Sequence, residues 1–140
     1  MEFKIFLDTN IFLDHLQDRN KFSTQIIKLC ERNDIDAFAS TASFYTLAYF
    51  IGKYTELNIR KTLEGYSELV ELIPTTKENL YGAYQSGFKD MEDAFQYYTA
   101  LNEADLNFFV TNNIKDYKRV FSRLPVVTAK NFIDLINHEK

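Results

Sequence analysis

A chain of 140 residues has the length of one domain and can bury about two-thirds of the surface its unfolded form exposes. With 46% hydrophobic and 26% charged residues, and with 13 Phe and 9 Tyr but no Trp, it reads as a soluble globular chain with a bulky aromatic core; no window reaches the ~18 apolar residues of a membrane span. The net charge of −4 argues against a protein that mainly grips phosphate backbones, yet does not exclude a nuclease whose carboxylates are gathered to hold metal. The single cysteine, Cys30, cannot form an internal disulfide, and its place on an apolar helix face predicts an inert buried thiol. The N-terminus shows no basic region followed by an apolar run and cleavage site, so no secretory signal is expected and the cytoplasm is the expected compartment.

The first element is an apolar run, Phe3 to Leu7, that stops at Asp8-Thr9-Asn10 and reads as a buried parallel strand. A helix from Asn10 to Gln17 is expected next, with Asn10 as its N-cap. A second helix runs from Phe22 to Glu31, a weak strand from Asp34 to Ser40, and a strongly apolar helix, capped by Ser40, Thr41 or Ser43, to about Lys53. Asn58 to Val70 reads as a helix, Glu71 to Ile73 as a short strand, and Lys77 to Gln85 as a helix stopped by Ser86-Gly87. Asp90 to Ala104 has the apolar stripe Met91, Ala94, Phe95, Tyr98 and Leu101 of an amphipathic helix. Leu106 to Val110 is a strand ending in Thr111-Asn112-Asn113, Asp116 to Phe121 a basic helical turn, Pro125 to Val127 a strand and Ala129 to Asn137 a closing helix. This alternation predicts one α/β domain over residues 1–140, a three-layer α/β/α sandwich with a mostly parallel sheet of about five strands.

The carboxylates carry the functional signal. Asp90 and Asp93 sit three apart, on one face of a helix and in its first turn, where the macrodipole favours negative charge; mere decoration of a helix start accounts for that pair alone. Asp116 alone reads as a cap for Tyr117 to Phe121. Asp8 is different, because a carboxylate closing an apolar strand is partly buried and requires a cation, a metal or a ring of donors. In open α/β sheets the carboxyl ends of the strands form the ligand crevice, and Asp8, the Asp90–Asp93 helix start and the Thr111–Asp116 stretch can all converge there. All-oxygen ligands point to Mg²⁺ or Mn²⁺ over zinc. The two histidines, His15 and His138, are read as exposed helix residues. A phosphatase with Asp8 as nucleophile would want an acid where Asn10 stands, and a phosphoacceptor receiver would want an acidic pair at the end of strand 1.

In Phe6-Leu7-Asp8-Thr9-Asn10-Ile11-Phe12-Leu13, Asp90-Met91-Glu92-Asp93-Ala94-Phe95-Gln96, Phe109 to Tyr117 and Pro125-Val126-Val127-Thr128, taken in order, the chain resembles the PIN-domain nucleases, especially VapC-type toxin ribonucleases. The resemblance implies endonucleolytic RNA cleavage with Mg²⁺ or Mn²⁺, a small cognate antitoxin as partner, and a homodimer. Asp8 and Asp93 match the metal-holding carboxylates, and Asp90 an extra acid found in a subgroup. Thr111 matches the hydroxyl at the end of strand 4, Asn113 a place that varies between acid and asparagine, and Asp116 the acid that follows. The pattern is broken in the helix after strand 2, where Thr41 to Tyr49 holds no carboxylate and Leu47 or Ala48 stands where the family has one.

The resulting expectation is a Mg²⁺- or Mn²⁺-dependent endoribonuclease, with a catalytically degenerate PIN-like binding module as the alternative. Asp8, Asp93 and Asp90 are the expected metal ligands, joined by Asn113 and Asp116 in catalysis. Asn10, Thr111, Lys115, Lys118 and Arg119 are expected on the substrate.

Overall fold

The computed structural model describes residues 2–117 and 123–139. Five strands form one sheet in the order β3-β2-β1-β4-β5: β1 (Lys4–Leu7), β2 (Asp36–Ser40), β3 (Glu71–Ile73), β4 (Phe108–Val110) and β5 (Val126–Val127). Every pairing is parallel, with Phe6 beside Phe38 on one side and beside Phe109 on the other. The helices are α1 (Thr9–Leu16), α2 (Lys21–Glu31), α3 (Thr41–Tyr54), α4 (Ile59–Leu69), α5 (Lys77–Tyr84), α6 (Met91–Ala100) and α7 (Ala129–Glu139).

Strand alternation sorts the core into two layers. Ile5, Leu7, Ala37, Ala39 and Val110 pack with Phe12, Ile26, Leu47, Tyr66 and Phe132 from α1, α2, α3, α4 and α7. Their neighbours Phe6, Phe38 and Phe109 face the other way, onto Ala83, Ala94 and Tyr97 of α5 and α6 and onto Phe88, Tyr117 and Leu124. Aromatic rings dominate this second layer: Phe6 stacks on Phe109 at 5.2 Å, and Phe109 meets Tyr117 at 5.0 Å between centroids. The three-layer α/β/α reading and the parallel sheet are therefore correct.

The local departures have physical reasons. Helix α1 begins at Thr9 with Asp8, not Asn10, as its N-cap, because the Asp8 carboxylate reaches the Thr9 amide at 2.8 Å. Helix α6 ends at Ala100, four residues short of Ala104, and Leu101 to Asp105 turn to bring the chain back to the sheet. The expected Asp116–Phe121 turn is a 3₁₀ turn from Ile114 to Tyr117, so Asp116 lies within it and does not cap it; residues 118–121 of that expectation lie outside the described residues. His15 is half-buried, with Nδ1 at 2.6 Å from the Tyr66 hydroxyl, and burial lowers its pKa. His138 is exposed. Cys30 is buried, and burial pushes its thiol up to about 12, so it is unreactive as expected.

Strand order reverses at β1: β2 lies on one side and β4 on the other. The carboxyl ends of β1 and β4 thus bound the switch-point crevice. The ladder runs one residue past each strand, with Asp8 N–H donating to Val110 O and Thr111 N–H to Val127 O, each at 3.0 Å. Asn112 then ties the crevice to the helices. Its Nδ2 donates to Asp14 Oδ2 at 2.7 Å and to Ser23 Oγ at 2.9 Å, while its Oδ1 accepts from the Ala129 amide at 3.3 Å. Replacing Asn112 with Ala should destabilise the protein by about 2–4 kcal/mol in urea unfolding, since one of the lost bonds goes to a carboxylate.

Candidate active site

Asp8 closes β1 and is only 3% exposed. Its Oδ1 accepts from the Thr9 amide at 2.8 Å. Its Oδ2 accepts from the Thr111 hydroxyl at 2.8 Å, the Tyr117 hydroxyl at 3.1 Å and Asn10 Nδ2 at 3.2 Å. The ring of donors that a buried carboxylate requires is therefore built from three separate stretches of chain. Burial pushes the Asp8 carboxyl up to about 6 despite these donors, with Glu92 adding to the rise.

Asp93 reaches the same crevice from α6. Asp90 is the N-cap, its Oδ1 accepting from the Glu92 amide at 2.8 Å and the Asp93 amide at 3.2 Å, and this hydrogen bonding orients Asp93 at the third helical position. Burial, and then the negative charges of Asp8, Asp90 and Asp116, push the Asp93 carboxyl up to about 7. Its Oδ2 is buried with no hydrogen-bond partner among the described residues. Tyr117, only 3% exposed, has its hydroxyl held protonated by burial and by the carboxylates of Asp8 and Asp93.

The remaining expected residues divide into two groups. Asn10, half-buried, and Thr111, buried, are bonded around Asp8. Asn10 Nδ2 also donates to Thr111 Oγ1 at 3.0 Å, and its Oδ1 accepts from the Asn112 amide at 3.1 Å. Thr111 is fully buried and also accepts from the Asn113 amide at 3.0 Å. Both position Asp8; Asn10 keeps part of its surface open, whereas Thr111 is enclosed. Asn113, Lys115 and Asp116 are exposed at the lip, and Asn113 Nδ2 donates to Asp116 Oδ2. Lys115 and Asp116 line a cavity of about 150 Å³ together with Gly87 and Lys89. Lys118 and Arg119 lie outside the described residues.

Four residues of the site lie outside the expected set. The sequence places Tyr117 in a basic turn, although an aromatic residue closing the largely polar stretch Asn112–Asp116 marks a point returning to the core. Lys89 stands beside Asp90 and carried no motif. Ser43 and Gln96, both buried, form a polar seam: Gln96 Nε2 donates to Ser43 Oγ at 3.0 Å, and Ser43 Oγ lies 2.7 Å from Thr9 Oγ1.

The donor set suits a hard divalent cation. The available groups are oxygens, and a buried carboxylate oxygen of Asp93 is without a partner. Among the described residues no three His, Cys, Asp or Glu side chains form a ready-made ion cage; Mg²⁺ is commonly held by one or two carboxylates while keeping several waters for the rest of its shell.

A PIN-domain family model matches residues 4–115, the segment that runs from β1 through the Thr111–Lys115 lip. The chain belongs to the PIN-domain family. Ribonuclease VapC1 of Aquifex aeolicus (strain VF5) is 28% identical over 142 residues, covering 96% of each chain. In fold, this PIN domain is similar to a chain of the VapBC2 structure from Rickettsia felis bound to a promoter DNA fragment, with TM-score 0.69 and 20% identity over 89% of this chain and 98% of that one. It is also similar to a chain of a toxin–antitoxin complex from Klebsiella pneumoniae, with TM-score 0.64 and 22% identity over 89% of this chain and 97% of that one.

The two raised carboxyls give the stability of the metal-free PIN domain a definite pH dependence. Asp8 and Asp93 bind a proton more tightly folded than unfolded, so their contribution falls as pH rises from the ordinary 3.8 through the folded values of about 6 and about 7. Asp93→Asn removes one of these titrations. In thermal melts without metal, that variant should gain stability relative to wild type on going from acidic to neutral pH; a difference that does not change with pH would contradict the assigned burial of Asp93.

Proposed function

We propose that this PIN domain is an endoribonuclease that uses Mg²⁺ or Mn²⁺ to hydrolyse RNA phosphodiester bonds, and that it is the toxin half of a toxin–antitoxin pair restrained by a small antitoxin protein. The observation that carries the reading is the convergence of Asp8 and Asp93 at the switch point, both with raised pKa and one with an unpartnered buried oxygen. The ribonuclease name of the Aquifex relative supports the reaction class. The toxin–antitoxin complexes among the structural relatives support the antitoxin, and a homodimer belongs to the same reading.

A divalent ion in this site supplies Lewis-acid polarisation of a phosphoryl oxygen and a more acidic water. Asp8 and Asp93 would hold it, and Asp90 would act mainly by capping α6 and orienting Asp93. Thr111, Asn10 and Tyr117 fix the Asp8 carboxylate, so that its orientation is set before substrate arrives. At the lip, Asn113 and Asp116 orient the attacking water and the scissile phosphate. Hydrolysis forms a P–O bond to that water and breaks the bond to the leaving sugar oxygen. Lys89 and Lys115 face the cavity beside this lip and would take flanking phosphates; Lys118 and Arg119 extend the same role by sequence.

Cleavage of an RNA oligonucleotide should require added Mg²⁺ or Mn²⁺, stop with a chelator, and fall by at least about a hundredfold in Asp93→Asn. A folded wild type that neither binds Mn²⁺ nor cuts RNA would instead identify a degenerate binding module. Lys89→Ala and Lys115→Ala should each weaken RNA binding and lower the slope of log affinity against log salt by about 0.7, the value expected per single-strand phosphate contact. Unchanged slopes would remove these lysines from the RNA path.

A further inference from the structure

Among the described residues, two buried side-chain oxygen or nitrogen atoms have no hydrogen-bond partner: Asp93 Oδ2 and Gln96 Oε1. Both belong to α6, three residues apart, and so share a face about one turn apart. Unpartnered buried acceptors are rare in native folds and call for a specific explanation, such as a functional group or a bound ion or water. Two of them side by side on one helix, next to a buried carboxylate, make a single explanation attractive.

Gln96 is 3% exposed, and its amide is held at the nitrogen by Ser43. Ser43 lies in the first turn of α3, the helix that contains no carboxylate, and bonds Thr9, whose amide caps onto Asp8. The Gln96–Ser43–Thr9 chain therefore crosses the seam where α1, α3 and α6 meet, and it leaves an amide oxygen free on the Asp93 face of α6. An amide oxygen is a hard neutral donor of the kind that Mg²⁺ and Ca²⁺ accept. A glutamine here has the reach and donor atom of a glutamate without adding a third negative charge beside Asp93, whose carboxyl burial and neighbouring acids already push up to about 7.

We infer that Gln96 contributes Oε1 to the coordination of the divalent ion held by Asp8 and Asp93, in place of the carboxylate that α3 lacks, with Ser43 as the residue that positions it. This rests on the ion-binding reading of Asp8 and Asp93. It assigns to this chain a metal site with one fewer acid and a neutral oxygen from α6.

The test is calorimetric titration of MnCl₂ into the metal-stripped full chain at neutral pH, for wild type, Gln96→Met and Gln96→Glu, with thermal melts of each with and without saturating Mn²⁺. Gln96→Met keeps length and volume but removes the acceptor; it should weaken Mn²⁺ binding about tenfold or more, the scale seen when groups supporting a metal site are removed. Gln96→Glu should melt lower than wild type without metal, because it adds a buried acid, and should bind Mn²⁺ more tightly and regain stability when metal is added. Wild-type affinity in both folded variants would overturn the inference while leaving Asp8 and Asp93 as ligands, and would mark Gln96 as a structural amide. If Gln96→Met does not fold, unchanged affinity in Gln96→Glu overturns it alone. No Mn²⁺ binding by wild type would instead remove the ion-binding reading itself, and this inference with it.

Discussion

The structure depends on accommodating one carboxylate inside a protein. Asp8 lies at the end of the central strand with almost no exposure, where an isolated charge would cost several kcal/mol. Donors from residues 9, 10, 111 and 117 offset part of that cost, and each of them is itself fixed by a further bond or by packing. The strand order that brings β4 against β1 is what makes Thr111 and Tyr117 available. Fold and site are therefore one arrangement: moving β4 by one register position would carry the hydroxyl of Thr111 away from Asp8 and leave a buried charge short of donors.

Behind this charge stands a wall of rings. Tyr117 packs edge-on against Phe88 at 5.2 Å and tilted against Phe109 at 5.0 Å. Tyr97 fixes the chain before β5 by donating its hydroxyl to Leu124 O at 2.8 Å while accepting from the Leu124 amide at 3.1 Å. This layer excludes water from one side of the carboxylates, so the fields of Asp8 and Asp93 are screened less there than at the open lip. The aromatic excess that stands out in the composition thus has a local use. It sets a low-polarity backing against which a pair of acids remains poised to accept a cation.

Much of this was legible in the sequence because the signals were local. An apolar run ending in Asp8, an Asp90–Asp93 pair opening an amphipathic helix, and a strand ending in Thr111 each follow from periodicity and capping, and their order in the chain implied a common crevice. The misreadings came where tertiary structure selects between local options. Asn10 and Asp8 are both good caps, and the ladder bond from Asp8 to Val110 is what makes Asp8 the boundary residue. His15 sits on an amphipathic helix whose exposed face could not be distinguished from the one that α4 covers with Tyr66. Tyr117 and Gln96 escaped because nothing adjacent in sequence reports the partner that defines each of them: Asp8 lies 109 residues from Tyr117, and Ser43 lies 53 from Gln96.

A sheet in which every pairing is parallel contains no hairpin, and each neighbour is reached only by a long crossover. Its consequence appears during synthesis. Asp8 is made 103 residues before the Thr111 hydroxyl that bonds it, an interval of about 5–20 s at ordinary elongation rates. Until then β1 lacks its partner on one side, and the crevice has only one wall. The topology therefore acts as a timer: a nascent chain holds its acids apart, and the proposed chemistry becomes possible only once β4 and the residues that follow it have been made.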